Sequence, residues 1–182
     1  MSGHTHYEQA FETYLQQQNI PYVAVDQAKK AVFSGMRIKS FDFIIYPRHG
    51  RRILADVKGR KFPYQSFQRG RWGETWTTTD VVEGLTRWEE VFGEQYLAVF
   101  IFAYWLCDQD PGGVRPQRAV GPPVQPHLFD TIYHYQQHNY TFVVAPLSAY
   151  RRQMRRRSDR WDTVYVPSKQ FKLLVQAFDE FF

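Results

Sequence analysis

The stretch Ser40-Phe41-Asp42-Phe43-Ile44-Ile45-Tyr46, Pro47-Arg48-His49-Gly50, then Arg52-Ile53-Leu54-Ala55-Asp56-Val57-Lys58-Gly59 decides how this chain is read. Two runs rich in β-branched and aromatic residues flank a Gly-containing turn, which is the pattern of a hairpin. On a strand, residues i and i+2 share a face, so Asp56 and Lys58 project together. A hairpin symmetric about His49 sets Asp42 directly opposite Asp56. Like charges opposed across a ladder are destabilising unless something cationic occupies the gap. Lys58 supplies part of that charge, and two carboxylate oxygens with room for water are what Mg²⁺ prefers. The arrangement suits phosphodiester hydrolysis. A metal there polarises the phosphate and lowers the pKa of a bound water, while a neighbouring lysine orients or deprotonates that water or offsets transition-state charge. An Asp-x-Lys tripeptide alone is more often a half-buried ion pair on a sheet edge. The opposed Asp42 and the order of the surrounding elements change that balance.

Upstream, Tyr7, Ala10, Phe11, Tyr14 and Leu15 form the apolar stripe of a helix. Thr5 and Glu8 have capping-box spacing at its start, and Asn19-Ile20-Pro21 ends it. Tyr22–Asp26 reads as a short strand, and Lys29–Lys39 fits no single period. Downstream, Phe62–Thr78 lacks periodicity and reads as a long loop. Asp80–Phe92 is a second helix with Asp80 as N-cap and Val81, Leu85, Trp88 and Phe92 on one face. Tyr96–Leu106 is a near-continuous apolar run, the signature of a strand buried on both faces. Asp108–Pro126 is a proline-rich excursion. Tyr140–Ala145 and Thr163–Val166 read as strands, and Ser168–Phe181 as a closing amphipathic helix. The order is helix, three strands, helix, strand, then extras, which gives an α/β or α+β fold with a mixed central sheet flanked by helices.

An acidic residue on the first helix, Asp42 on one strand, and Asp56-Val57-Lys58 on its hairpin partner, followed by a helix and a strand, resembles the PD-(D/E)XK nuclease superfamily. The likeness covers Thr5 to about Leu106 and is nearest to Holliday-junction-resolvase-like members, which also carry a first-helix Glu. It implies a restriction-endonuclease-like αβββαβ core, with residues 107–182 as a C-terminal strand and helix extension of the same single domain. By position, the resemblance makes Glu8, Asp42, Asp56 and Lys58 the catalytic set. Glu8, Asp42 and Asp56 would hold Mg²⁺, with Mn²⁺ as a substitute. Phe41 stands where the superfamily's nominal proline would be. Glu8 has two readings side by side, a metal ligand from the helix or simply half of the capping box with Thr5.

Basic residues cluster from Arg48 to Arg71, with Phe62, Tyr64 and Phe67 interleaved, and only Asp56 opposes them. Arg60, Lys61, Arg69 and Arg71 follow directly after Lys58, where a phosphate backbone would need contacts. A second cluster lies at Arg151, Arg152, Arg155, Arg156, Arg157 and Arg160, of which Arg151, Arg152 and Arg155 share one face at helical spacing. DNA is the expected partner, with RNA also admissible, and nucleases of this type often act as homodimers. The function expected is a Mg²⁺-dependent deoxyribonuclease, structure-directed or restriction-like. The alternative is a non-catalytic nucleic-acid-binding module on the same fold.

Composition bounds the rest. With 182 residues and 43% hydrophobic content, the chain holds one packed domain and is not a disordered one. Its formal charge of +5 is compatible with a polyanionic partner. A single cysteine, Cys107, excludes a disulfide scaffold and a cysteine-built zinc site. Cys107 reads as a core residue. His4 and His6 have no third ligand nearby, and packing is the expected role of His127, His134 and His138. The N-terminal residues carry no apolar signal core, and no run reaches the length of a membrane span, so a cytoplasmic protein without membrane partners is expected.

Overall fold

The computed structural model describes residues 5–26, 31–33, 36–63, 73–107 and 131–181. Helix α1 (His6–Gln17) starts where the capping box forms: Glu8 N–H donates to Thr5 Oγ1 at 3.4 Å and Thr5 N–H to Glu8 Oε2 at 3.3 Å. Its stripe of Ala10, Phe11, Tyr14 and Leu15 is buried, as the periodicity predicts. Strands β1 (Tyr22–Ala24), β4 (Phe43–Ile45) and β5 (Arg52–Pro63) follow, with a separate hairpin of β2 (Ala31–Phe33) and β3 (Met36–Ile38) between them. That hairpin occupies most of the stretch whose period was ambiguous.

Strand β6 (Trp76–Thr78) and helix α2 (Thr79–Phe92) then form the crossover that a parallel neighbour of β5 requires. That neighbour is β7 (Tyr96–Cys107), paired with β5 from Arg52–Tyr96 to Pro63–Cys107. The remaining elements are β8 (Tyr133–Tyr135), β9 (His138–Pro146), α3 (Leu147–Gln153), β10 (Arg155–Ser158), β11 (Thr163–Tyr165), α4 (Ser168–Leu174), β12 (Gln176–Ala177) and α5 (Phe178–Phe181). The main sheet runs β1-β4-β5-β7-β9-β12, with β8 on β9, and only the β5–β7 ladder in it is parallel. A second sheet, β10-β11-β6, stands beside it.

Strand β7 separates two cores. Phe100, Phe102, Tyr104 and Leu106 pack with α2, α3 and α4, while Val99, Ile101 and Ala103 pack with α1 and Phe178. This is the burial on both faces that the apolar run predicts.

Four expectations are corrected. The backbone of Thr78 is still extended because β6 pairs with β11 through Thr78, so α2 starts at Thr79 and Asp80 lies in its first turn instead of capping it. The closing helix is broken after Leu174, because Gln176 and Ala177 pair with Val144 and Val143 of β9. The main-chain groups on that sheet edge outcompete a continuous amphipathic helix. Arg155 is not on a helix face with Arg151 and Arg152: α3 stops at Gln153, Met154 is extended, and Arg155 opens β10. Finally, Phe62 and Pro63 belong to β5, whose ladder with β7 runs on to Cys107, and Trp76–Thr78 is strand, so both ends of the expected loop are ordered. Among the described residues no helix is long and apolar enough to cross a membrane.

Candidate active site

The β4–β5 register pairs Phe43 with Ala55, Ile44 with Leu54 and Ile45 with Ile53. Continued by one step, it sets Asp42 opposite Asp56, the juxtaposition expected from a hairpin centred on His49. The ladder ends there. Asp42 N–H donates to the Ala55 carbonyl at 3.0 Å, and Val57 N–H donates to Asp42 Oδ2 at 2.5 Å. A side-chain oxygen thus takes a strand donor, which holds the Asp42 carboxylate against β5.

Both carboxylates are buried, Asp42 at 3% exposure and Asp56 at 4%. Burial first, and then the Asp56 charge, pushes the Asp42 carboxyl well above the usual carboxylate range. Glu8 adds to the rise, while the Val57 N–H and Lys58 oppose it. The Lys58 ammonium forms an ion pair with Asp56 Oδ1. Two buried acids facing each other, with the Lys58 ammonium paired to one of them, are electrostatically under-compensated when both are ionised. Such an all-oxygen pair fits a hard divalent cation, which takes one or two carboxylates and fills its other positions with water or phosphate.

Glu8 stands differently. Its carboxylate is engaged with Thr5, whose hydroxyl donates to Glu8 Oε1 at 3.0 Å. Its charge is felt at Asp42, yet no three His, Cys, Asp or Glu side chains among the described residues form a metal-holding group. The structure therefore brings together Asp42, Asp56 and Lys58, and leaves Glu8 in the capping box nearby.

What brings α1 this close is Gly59, immediately after Lys58. A Cβ at Gly59 would lie 2.1 Å from Tyr7 Cδ2 and 2.8 Å from Tyr7 Cβ, so Tyr7 packs directly on bare backbone. The sequence shows a glycine there, but only the structure shows what rests on it.

The expected nucleic-acid contacts divide. Arg60 is not a surface cation: its side chain is 12% exposed, and it donates to the Gly59 carbonyl at 2.7 Å and to the Trp76 carbonyl at 2.5 Å. It ties β5 to β6. Lys61, Arg151, Arg152 and Arg155 are exposed, with Lys61 5.3 Å from the centre of the Trp105 ring. Arg69 and Arg71 lie outside the described residues, as do His4 and His127. His6 meets Tyr140 Oη at 2.6 Å through Nδ1, and His138 packs on Trp105. His134 is exposed. Sequence reasoning missed Glu74 and Trp76, which gather around Arg60 together with Arg157 of the second basic cluster. The only prior signal was the density of Trp and Arg in those stretches.

No family model matches this chain, and no curated protein matches it. Among solved structures it is similar to that of Archaeoglobus fulgidus Hjc, a Holliday junction resolvase from an archaeal hyperthermophile, determined at 1.6 Å resolution. The identity is 13%, the TM-score 0.50, and the match covers 98% of each chain. At that identity the likeness carries the fold and not the activity. The fold is a mixed central sheet flanked by helices, of restriction-endonuclease-like form.

Proposed function

We propose that this protein is a metal-dependent nuclease that hydrolyses DNA phosphodiester bonds, acting as a structure-directed or restriction-like endonuclease. The observation that carries the reading is the opposed, buried pair Asp42 and Asp56 with the Lys58 ammonium paired to Asp56. Similarity of fold to a Holliday junction resolvase supports the same class of substrate.

Asp42 and Asp56 would hold Mg²⁺, or Mn²⁺ in its place. The bound cation would supply Lewis acidity toward the phosphate and a water of lowered pKa. The chain's own residues do the rest. Asp42 is kept at a fixed position by the Val57 N–H; burial and the Asp56 charge raise its carboxyl above the usual range, and a cation held by the pair would offset that repulsion. Lys58, restrained by Asp56, donates to a non-bridging phosphoryl oxygen as negative charge builds there. Glu8 contributes from α1 through its charge. Lys61, Arg151, Arg152 and Arg155, with Arg69 and Arg71 of the segment following β5, would meet the DNA backbone. A homodimer would present two such sites to one DNA.

The test is cleavage of plasmid, linear and four-way-junction DNA with Mg²⁺, Mn²⁺ or EDTA, wild type beside Asp56→Ala. Metal-dependent cutting by the wild type alone is expected. Equal cutting by Asp56→Ala overturns the site, and salt-sensitive binding without any cutting leaves a non-catalytic nucleic-acid-binding module.

A further inference from the structure

Beyond Lys58, β5 walls an open cleft of about 520 Å³ lined by Gly59, Arg60, Lys61, Pro63, Glu74 and Trp76. We propose that this cleft binds a second backbone phosphate of the nucleic acid whose scissile phosphate lies at Asp42 and Asp56. Glu74 is the group that this phosphate displaces, and Arg157 is its principal donor. The inference rests on the nuclease reading and names where the substrate strand continues.

Four observations converge. The first is placement. Asp56, Lys58 and Arg60 are alternate residues of one strand and share a face, so Arg60 meets the cleft roughly 13 Å along the strand from Asp56.

The second is charge. Arg60 lies 4.0 Å from the centre of the Trp76 ring and Arg157 lies 4.9 Å from it, and Lys61 stands on the same wall. Two arginines thus face one carboxylate. Glu74 is only loosely held by the two arginines, at 3.9 Å from Arg60 Nε and 4.0 Å from Arg157 Nη2, with a proper hydrogen bond only from Trp76 Nε1 at 3.0 Å. Exposed pairs at such distances contribute little, so exchanging Glu74 for a phosphate costs little.

The third is construction. The register of β10 on β11 shifts between Arg156 and Ser158, leaving Arg157 out of the ladder and over Trp76. Bulges of this kind re-aim a side chain. The approach to β6 is equally fixed: Tyr104 Oη donates to the Glu74 carbonyl at 3.0 Å and Tyr150 Oη to the Thr75 carbonyl at 2.6 Å. A Cβ on Gly73 would fall 2.4 Å from Phe62 and 2.6 Å from Tyr104. A segment so tightly seated places Glu74 and Trp76 reproducibly.

The fourth is an unmet donor. Arg60 Nε is buried and makes no hydrogen bond among the described residues, with Glu74 Oε2 held only at ion-pair distance, 3.9 Å away. Arg60 itself is a positioning residue, since its other nitrogens hold the Gly59 and Trp76 carbonyls.

The experiment measures binding of a fluorescent four-way junction and a duplex by anisotropy across a salt series, with metal withheld. It compares wild type, Arg157→Gln and Glu74→Gln, with Arg87→Gln as a remote control on α2. Arg157 and Glu74 are exposed, and unfolding midpoints verify that the variants fold. Loss of one phosphate contact in Arg157→Gln should weaken binding by about 3–10-fold and flatten the slope of log affinity against log salt by about 0.9. Glu74→Gln should tighten binding several-fold, and Arg87→Gln should leave both unchanged. Wild-type affinity and slope in both cleft variants overturn the proposal, as does an equal change in Arg87→Gln.

Inorganic phosphate is the second arm. Displacement of DNA by low-millimolar phosphate from wild type but not from Arg157→Gln would make the site one for a free anion and overturn the backbone assignment. The two readings fail separately. If Asp56→Ala abolishes cutting while the cleft variants bind normally, only the cleft proposal falls. If the salt slope changes as expected but the wild type never cuts, only the nuclease reading falls.

Discussion

Strand β5 carries two charged clusters within a few residues of each other, and they are built on opposite principles. At Asp42, Asp56 and Lys58, like charges are forced together in a buried place with too little compensation. At Arg60, Glu74 and Arg157, opposite charges meet loosely in an open cleft around a tryptophan. The first cluster calls for a cation and the second gives way to an anion. A phosphodiester bound beside a metal presents both, so the contrast along one strand describes a single extended ligand.

The comparison can be broken most severely at the acid pair. Asp56→Asn should lower metal-dependent cleavage by about 10²–10³-fold or more, measured under single-turnover conditions. The same variant should unfold at a higher temperature than wild type in EDTA, because it removes the charge that Asp42 faces. A variant that loses activity and also stability would mean that the pair is structural.

Gly59 stands between the clusters and sharpens their separation. Gly59→Ala drives a Cβ into Tyr7 and should cost about 1–3 kcal/mol by denaturant unfolding, the usual penalty of overpacking. It should also shift α1, and Glu8 with it, away from Asp42. If stability is unchanged, Tyr7 does not pack on the strand as described.

The pH dependence separates them as well. In chelator, Asp42 has a folded pKa above its unfolded value near 3.8, so the folded state holds the extra proton in the window between the two. Stability should therefore fall as pH rises through that window and level off above the folded value. Asp42→Asn should flatten the decline, as read from unfolding free energy against pH. A decline identical in wild type and variant would place the titration elsewhere.

The smallest effect addresses Glu8. Thr5→Ala removes the helix cap and should cost about 1 kcal/mol of stability. Calorimetric Mg²⁺ binding by the same variant shows whether the released carboxylate joins the acid pair: tighter binding assigns it there, and unchanged binding leaves it to the cap.

How much of this was legible depended on the range of the interaction. The capping box, the apolar stripe of α1, the hairpin and its register are set by neighbours within about one turn or one ladder, and the sequence displays those spacings directly. Asp42 opposite Asp56 follows from the alternation of a strand and the length of one turn. The apolar run of β7 is equally plain from its own residues, because a strand covered on both faces has no polar side to show. Elsewhere a distant partner decided. The end of α4 was set by an edge of β9, the start of α2 by the pairing of β6 with β11, and the break before Arg155 by the β10–β11 ladder.

The sequence by itself therefore determined the order of the core elements α1, β1, β4, β5, α2 and β7, the face shared by Asp56 and Lys58, and the acid pair, since each rests on local periodicity. Tertiary structure alone decided that Arg60 would be buried beneath Trp76, that Arg157 would be aimed at the same ring, and that Tyr7 would need Gly59. Those contacts join residues from separate elements, and no spacing rule encodes which surfaces meet once the sheets pack. Local geometry is written along the chain, whereas the electrostatic environment of a side chain belongs to whatever the fold brings beside it.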